Sequence, residues 1–269
     1  MRLTKHHGLG NDFLVALGDL TSTPALARRL CDRRRGIGAD GLIIGRPSTT
    51  QGADVVMDLR NADGSVAEMS GNGIRCLAHA VVRARGACAA AVAIDTAAGR
   101  RGVEVSATED PDTCLASVEM GAVAAGPSWP APLDDGLGGL VAGLRRAETA
   151  DVGNPHLVAL VEDPWAIDLA AVGPEVEACF ADGVNLEVIA PRGDGDALDL
   201  RVWERGVGIT EACGTGATAA AVLAHRWGLV GPDVLVHQPG GDVTVVVGTI
   251  GATLVGPATY IATIEVTNG

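Results

Sequence analysis

Glu211-Ala212-Cys213-Gly214-Thr215-Gly216-Ala217 is a lone cysteine followed by Gly-x-Gly and then by a run of helix formers from Ala217 to Trp227. The spacing predicts a helix whose first turn opens directly after Cys213. The first N–H groups of a helix have no internal partner and carry the positive end of its dipole. A thiol placed there therefore tends to ionise, and a carboxylate can dock beside it. A second copy lies upstream, Met69-Ser70-Gly71-Asn72-Gly73-Ile74-Arg75, again running into helix formers from Leu77 to Ala84, but with serine where the cysteine would be.

Other landmarks repeat at nearly the same separation. Gly10-Asn11 matches Gly153-Asn154 (154 − 11 = 143), Asn61 matches Glu204 (204 − 61 = 143), and Ser70-Gly-Asn-Gly matches Cys213-Gly-Thr-Gly (213 − 70 = 143). Ala39-Asp-Gly matches Ala181-Asp-Gly at 142. Coincidences at one offset indicate two homologous α/β halves related by a pseudo-twofold. Such halves would bring their two helix mouths face to face over one cleft. Between them, from about Gly121 to Gly143, the chain is rich in Gly, Pro and Ala and reads as a connector. Within the first half, Arg2 to Leu17 reads as strand, glycine turn and strand, Pro24 to Arg33 as a helix, and Val92 to Asp95 with Gly102 to Ser106 as a hairpin.

Composition narrows the function. The 269 residues are 47% hydrophobic but only 3% aromatic, so cores must be built from Ala, Val, Leu and Ile, and aromatic stacking on bases is a poor expectation. The net charge of −13 disfavours nucleic acid, and the runs Arg28-Arg29 and Arg33-Arg34-Arg35 read as a solvated helix face. No apolar stretch approaches the roughly 18 residues of a membrane span, so a soluble, cytoplasmic protein is expected. Cysteines 31, 76, 88, 114, 179 and 213 show no Cys-x-x-Cys spacing, which argues against a zinc site or a disulfide framework. Lys5 is the only lysine beside nineteen arginines. It suits neither a Schiff base with pyridoxal phosphate nor a P-loop, and both classes drop out.

Two acid/base groups on opposite sides of one carbon are what inversion of a stereocentre requires. A thiolate removes the α-proton from one face and a thiol returns a proton on the other. A helix N-terminus can lower a cysteine pKa from about 8.5 into the range of about 3.5 to 7.5. The same helix ends would bind the substrate carboxylate and stabilise charge as the carbon becomes planar, with no metal or organic cofactor needed.

The motifs Gly8-Leu-Gly-Asn-Asp-Phe, Gly36-Ile-Gly-Ala-Asp-Gly, Asn61-Ala-Asp-Gly-Ser, Ser70-Gly-Asn-Gly-Ile-Arg-Cys, Gly153-Asn-Pro-His, Gly183-Val-Asn and Glu204-Arg-Gly-Val-Gly-x-Thr-x-Ala-Cys-Gly-Thr-Gly occur in this order across nearly the whole chain. Together they resemble the diaminopimelate epimerase family. The resemblance implies an α/β (α+β) fold of two pseudo-symmetric domains, each a mixed β-sheet curled around a central helix. The expected halves are 1–118, with a last strand 257–269 returning to it, and 119–256. It further implies a homodimer that interconverts LL- and meso-diaminopimelate, in lysine and peptidoglycan synthesis, without a cofactor. By position, Cys213 is one catalytic thiol and Ser70 stands in the place of the other, while His156 and Glu204 assist. Asn11, Asn61, Asn154, Asn185, Glu204 and Arg205 match substrate-holding residues, and Gly71, Asn72, Gly214 and Thr215 match the helix-start amides around the α-carboxylate.

Ser70 departs from the family's two-thiol pattern, because a hydroxyl is far less acidic than a thiol. A deliberate replacement, a natural relative with altered chemistry and a weakened enzyme are each compatible with it. Taken singly the landmarks are bland: Asn11, Asn61 and Asn185 suit turns, His156 a structural hydrogen bond, Glu204-Arg205 a surface pair and Cys213 a buried small apolar residue. Their joint order carries the assignment. A racemase for another amino acid, a hydro-lyase resembling the hydroxyproline dehydratases, and a binding protein that has lost turnover are the alternatives.

Overall fold

The computed structural model describes residues 1–267 apart from 68, 135 and 194. The chain forms two compact units, Met1–Glu119 joined by the segment from Val255, and Met120–Leu254.

In the first unit, β1 (Arg2–Gly8), β2 (Asn11–Leu17), α1 (Pro24–Cys31), β3 (Gly41–Pro47), β4 (Val55–Asn61), α2 (Gly71–Ala84), β5 (Ala90–Thr96), β6 (Gly99–Ala107) and β7 (Thr113–Gly121) follow in order. The strands are hydrogen-bonded in sequence order, and the chain's last strand, which covers Ala252–Glu265, pairs with both β7 and β1, closing an eight-stranded ring. Helix α2 packs against β1 through β6, and every residue from Gly71 to Val82 is buried. A helix enclosed on all sides must be apolar or internally satisfied around its whole circumference. Strands β2 and β3 run parallel between α2 on one face and α1 on the other, which is why Phe13–Ala16 and Leu42–Ile44 read as continuous apolar runs rather than alternating ones.

Helix α1 stops at Cys31, so the arginine run that follows is not a helix face. Arg33 instead bridges two acids, with Nη2 at 2.6 Å from both Asp12 Oδ1 and Asp40 Oδ1. Lys5 Nζ lies 2.8 Å from Asp12 Oδ2 and 2.7 Å from the Gly38 carbonyl, so the single lysine is a structural clamp. Bonds from Arg33 and Lys5 outweigh burial and hold the Asp12 carboxyl down from its ordinary 3.8 to about 2. A carboxylate bound more tightly when folded contributes stability that is present above pH 3.8 and lost as pH falls through about 2. In urea unfolding, Asp12→Asn is expected to cost on the order of 1–2 kcal/mol at pH 6. That gap should close as both proteins approach pH 2. A gap independent of pH would show that the clamp acts through shape alone.

The second unit contains β8 (Ala124–Ala125), α3 (Ala131–Asp134), α4 (Leu137–Leu140), β9 (Arg146–Asp151), β10 (Pro155–Leu160), α5 (Leu169–Cys179), β11 (Asn185–Pro191), β12 (Ala197–Glu204), β13 (Gly208–Thr210), α6 (Gly214–Arg226), β14 (Asp233–Gln238) and β15 (Gly241–Val247). The last strand, β16 (Ala252–Glu265), crosses from this unit into the first. The mixed sheet, in the order β15-β14-β12-β11-β10-β9-β8, curls about α6, which is buried from Gly214 to Ala224. Five alanines between Ala217 and Ala224 keep that helix thin enough for strands to approach it from several sides.

Two features of the second unit depart from the sequence reading. The stretch read as a connector packs Leu133, Leu137 and Val141 into the core beneath α5, so it belongs to the second unit's interior. Helix α5 itself is unanticipated because Gly173 and Pro174 interrupt it. Those breakers serve packing. A Cβ on Gly173 would stand 2.3 Å from the Trp203 ring, and Trp203 Nε1 donates to Glu177 Oε2 at 2.7 Å from the same helix.

Ladder registers make the two units comparable residue by residue. Phe13 lies opposite Gly41 in the β2–β3 pair, as His156 lies opposite Asn185 in the β10–β11 pair. These give offsets of 143 (156 − 13) and 144 (185 − 41). The structural equivalence of β3 and β11 is thus 144, and the Ala39-Asp-Gly match at 142 is not the one the fold uses.

Candidate active site

The two helix mouths are built alike. Ser70 and Cys213 both cap their helices from extended backbone, at φ −141°, ψ 114° and φ −127°, ψ 113°. Ser70 Oγ accepts from the Gly73 N–H at 2.9 Å, and Cys213 Sγ accepts from the Gly216 N–H at 3.3 Å. A capping oxygen or sulfur satisfies one of the donors a helix start leaves open. The remaining amides are those that can meet a carboxylate.

At the first unit's mouth, Asn72 Nδ2 donates to Asn11 Oδ1 at 3.2 Å, and Asn11 Nδ2 donates to Asp40 Oδ2 at 2.9 Å. Beneath Asn72 lies Arg75, fully buried, donating to Asn72 Oδ1 at 2.8 Å and to the carbonyls of Gly71 at 3.1 Å and Pro257 at 3.2 Å. Burial lowers its pKa to about 10. Ser70, Gly71, Asn72 and Asn11 are therefore brought together. Asn61, at the end of β4, gives its Nδ2 to Ser65 Oγ at 3.0 Å and shapes the turn that follows.

At the second unit's mouth, Cys213 is 4% exposed, and its N–H donates to Gln238 Oε1 at 2.8 Å. Its sulfur lies 3.4 Å from Thr215 Oγ1. Asn154 Nδ2 reaches the same Thr215 hydroxyl at 3.4 Å, and Asn154 Oδ1 is 3.0 Å from His156 Nε2. His156 Nδ1 is 2.7 Å from Glu187 Oε1, with both side chains fully buried. Glu204 accepts a short hydrogen bond from Thr210 Oγ1 and reaches the Cys213 thiol. Asn185 braces the neighbouring loop: its Nδ2 donates to the Pro155 carbonyl at 2.7 Å and its Oδ1 accepts from the Arg205 N–H at 2.9 Å. Gly183, at φ +70°, lets the Arg205 stem cross the turn, where a Cβ would meet Arg205 Cδ at 2.8 Å. Cys213, Gly214, Thr215, Asn154, His156 and Glu204 thus form one group, with Asn185 and Arg205 on its flank.

Two residues in contact with this group, Glu187 and Gln238, are absent from the sequence expectation. Glu187 had a signal, a charge in the middle of the apolar strand run Asn185–Ala190. Gln238 had none, since its strand alternates in the ordinary way.

The thiol is not ionised at rest. Burial, then the negative charges of Glu204 and Glu187, raise the Cys213 pKa well above the ordinary range, outweighing the bonds from Thr215 and the Gly216 N–H. Desolvation and a second carboxylate also raise Glu204. The expected helix-start thiolate is therefore overridden by tertiary neighbours. Alkylation by iodoacetamide, followed by peptide mapping, should modify exposed Cys88 at least about tenfold faster than Cys213 at pH 7.5. The Cys213 rate should still climb above pH 9; a plateau near neutral pH would contradict a protonated resting thiol.

Among the described residues, no cluster of three or more His, Cys, Asp or Glu is arranged to hold a metal, and no helix is long and apolar enough to cross a membrane. The paired curled sheets, each with a capped central helix, are the architecture of known epimerases and racemases. The hydroxyproline epimerase of Agrobacterium vitis superposes with TM-score 0.71 at 18% identity, over 98% of this chain and 91% of that one. A phenazine biosynthesis protein of Bacillus anthracis gives 0.73 at 16% identity, over 100% and 99%. The diaminopimelate epimerase of Sphingopyxis alaskensis is 40% identical over 91% of this chain and 88% of its own. That of Mycolicibacterium smegmatis is 40% identical over 97% and 95%. The protein is an isomerase of the epimerase and racemase class. More narrowly, it belongs to the diaminopimelate epimerase family, whose family model matches residues 3–125 and 149–261.

Proposed function

We infer that this protein inverts one α-carbon of LL-2,6-diaminopimelate to give the meso form, by proton removal and return without pyridoxal phosphate. The observation that carries this reading is the Cys213 helix mouth, where a buried thiol, a helix-start amide cradle and the carboxylate of Glu204 meet in a family member. In this reading the amides of Gly71, Asn72, Gly214 and Thr215 meet the α-carboxylate, and Glu204 meets the ammonium group. Arg205 forks onto the distal carboxylate, while Asn11, Asn61, Asn154 and Asn185 fix the distal amino-acid head. Because Cys213 rests as a thiol, it is the proton donor, and the group at position 70 must take the α-proton. A serine hydroxyl does that poorly, so Ser70 limits the rate. The substrate is a free small amino acid in the cytoplasm, and the working form is a homodimer.

The test is incubation with LL-diaminopimelate in deuterated water, following α-deuterium uptake and the LL/meso ratio. Uptake dependent on the second carboxylate supports the reading. Equal exchange with an analogue lacking that carboxylate would transfer the assignment to another amino acid.

A further inference from the structure

The ladder registers that align the two units place His156 where the first unit has Phe13, and Glu187 where it has Ile43. Phe13 and Ile43 are themselves buried, at 4% and 0% exposure. The same fold is therefore built with an apolar pair at these positions in one unit and a fully buried histidine–carboxylate pair in the other. The fold does not require that pair, since the same strand positions in the first unit are filled by apolar side chains.

Its surroundings say what it is for. Alternation along β11 turns Glu187 toward α6, opposite to Leu186 and Val188 in the core beneath α5. There its Oε1 lies 2.5 Å from where a Cβ on Gly216 would stand. Gly216 is the residue whose N–H holds Cys213 Sγ, so glycine at this place admits the carboxylate to the helix mouth. From Glu187 a continuous set of contacts leads through His156, Asn154 and Thr215 to the Cys213 sulfur, at 2.7, 3.0, 3.4 and 3.4 Å. Glu187 Oε2 has no hydrogen-bond partner among the described residues.

Resting on the inversion chemistry inferred above, we propose that Glu187 is a positioning residue: by accepting from His156 Nδ1 it fixes the ring with Nε2 toward Asn154, and so sets Asn154 and Thr215 around the reacting thiol. Orienting a ring through its second nitrogen is how buried carboxylates act on functional histidines elsewhere. The matching positions of the first unit hold Phe13 and Ile43, so the two helix mouths differ here as well as in the exchange of sulfur for oxygen.

The test uses the full chain, labelled with 15N-histidine and without ligand. A slowly exchanging, downfield proton on His156 Nδ1 is expected; it should disappear in Glu187→Leu and persist in Glu187→Gln, whose amide oxygen can still accept. In a Ser70→Cys background, Glu187→Leu should lower kcat for α-deuterium exchange about 100-fold with KM within about threefold. Glu187→Gln should recover at least about tenfold of that loss. If Glu187→Leu fails to fold, Gly216→Ala displaces the carboxylate while keeping it, and the same losses are expected. Survival of the Nδ1 signal in Glu187→Leu, or a rate within about threefold of the parent, overturns the proposal. Should the parent itself fail to exchange diaminopimelate, the substrate reading falls. The positioning role is then decided by the Nδ1 signal, which should be lost in Glu187→Leu and kept in Glu187→Gln.

Discussion

Replacing Ser70 by cysteine is expected to raise LL-to-meso interconversion by roughly 10²- to 10⁴-fold, the range spanned by a well-matched general acid or base. The two caps have the same backbone geometry and the same hydrogen bond to the third helical N–H, so a thiol at position 70 inherits a prepared place. Ser70 is half-buried, and its side chain already points at the Gly73 N–H that a sulfur would meet. In the proposed inversion a thiol raised by burial and two carboxylates serves as the donor, and proton removal falls to position 70. That is the half of the reaction a hydroxyl performs worst. The measurement is deuterium uptake and stereochemical ratio for both proteins side by side. Similar rates for the two, or rapid turnover by the serine protein, would defeat the two-thiol account.

In the Ser70→Cys background, Cys213→Ser should lower exchange by about 10³-fold or more while leaving the thermal midpoint within a few degrees. Serine already caps the equivalent helix at position 70, so this change keeps the local structure and removes the acidic group alone. Binding of diaminopimelate, read as ligand-induced stabilisation, should survive, since the amide cradle and Arg205 remain. Exchange within about tenfold of the parent would move the proton donor to Glu204, the other raised acid at this mouth.

Much of the fold is legible in the chain because its signals are local or repeated. The caps at Ser70 and Cys213 announce helix starts, and the offset of 143 between them announces two like halves. Helix α5 is not legible, since Gly173 and Pro174 are breakers by local rule and only the Trp203 ring gives them a reason to be there. Leu133, Leu137 and Val141 likewise look like connector residues until α5 covers them. In the site, the motif residues are legible as a set. Their division of labour is not: Asn61 and Asn185 bind backbone or neighbours as braces, while Asn72 and Asn154 link into the helix mouths.

Residue type and spacing alone carry the motif order, the two capped helices and the apolar strands around them. The protonation of Cys213 depends instead on contacts made by folding. A helix start by itself favours the thiolate, but loss of water and then the carboxylates of Glu204 on β12 and Glu187 on β11 outweigh it. The same holds for Glu187: its charge is visible in the strand, but its partner His156 is 31 residues away in sequence. The parallel pairing of β10 and β11 is what brings the two into contact.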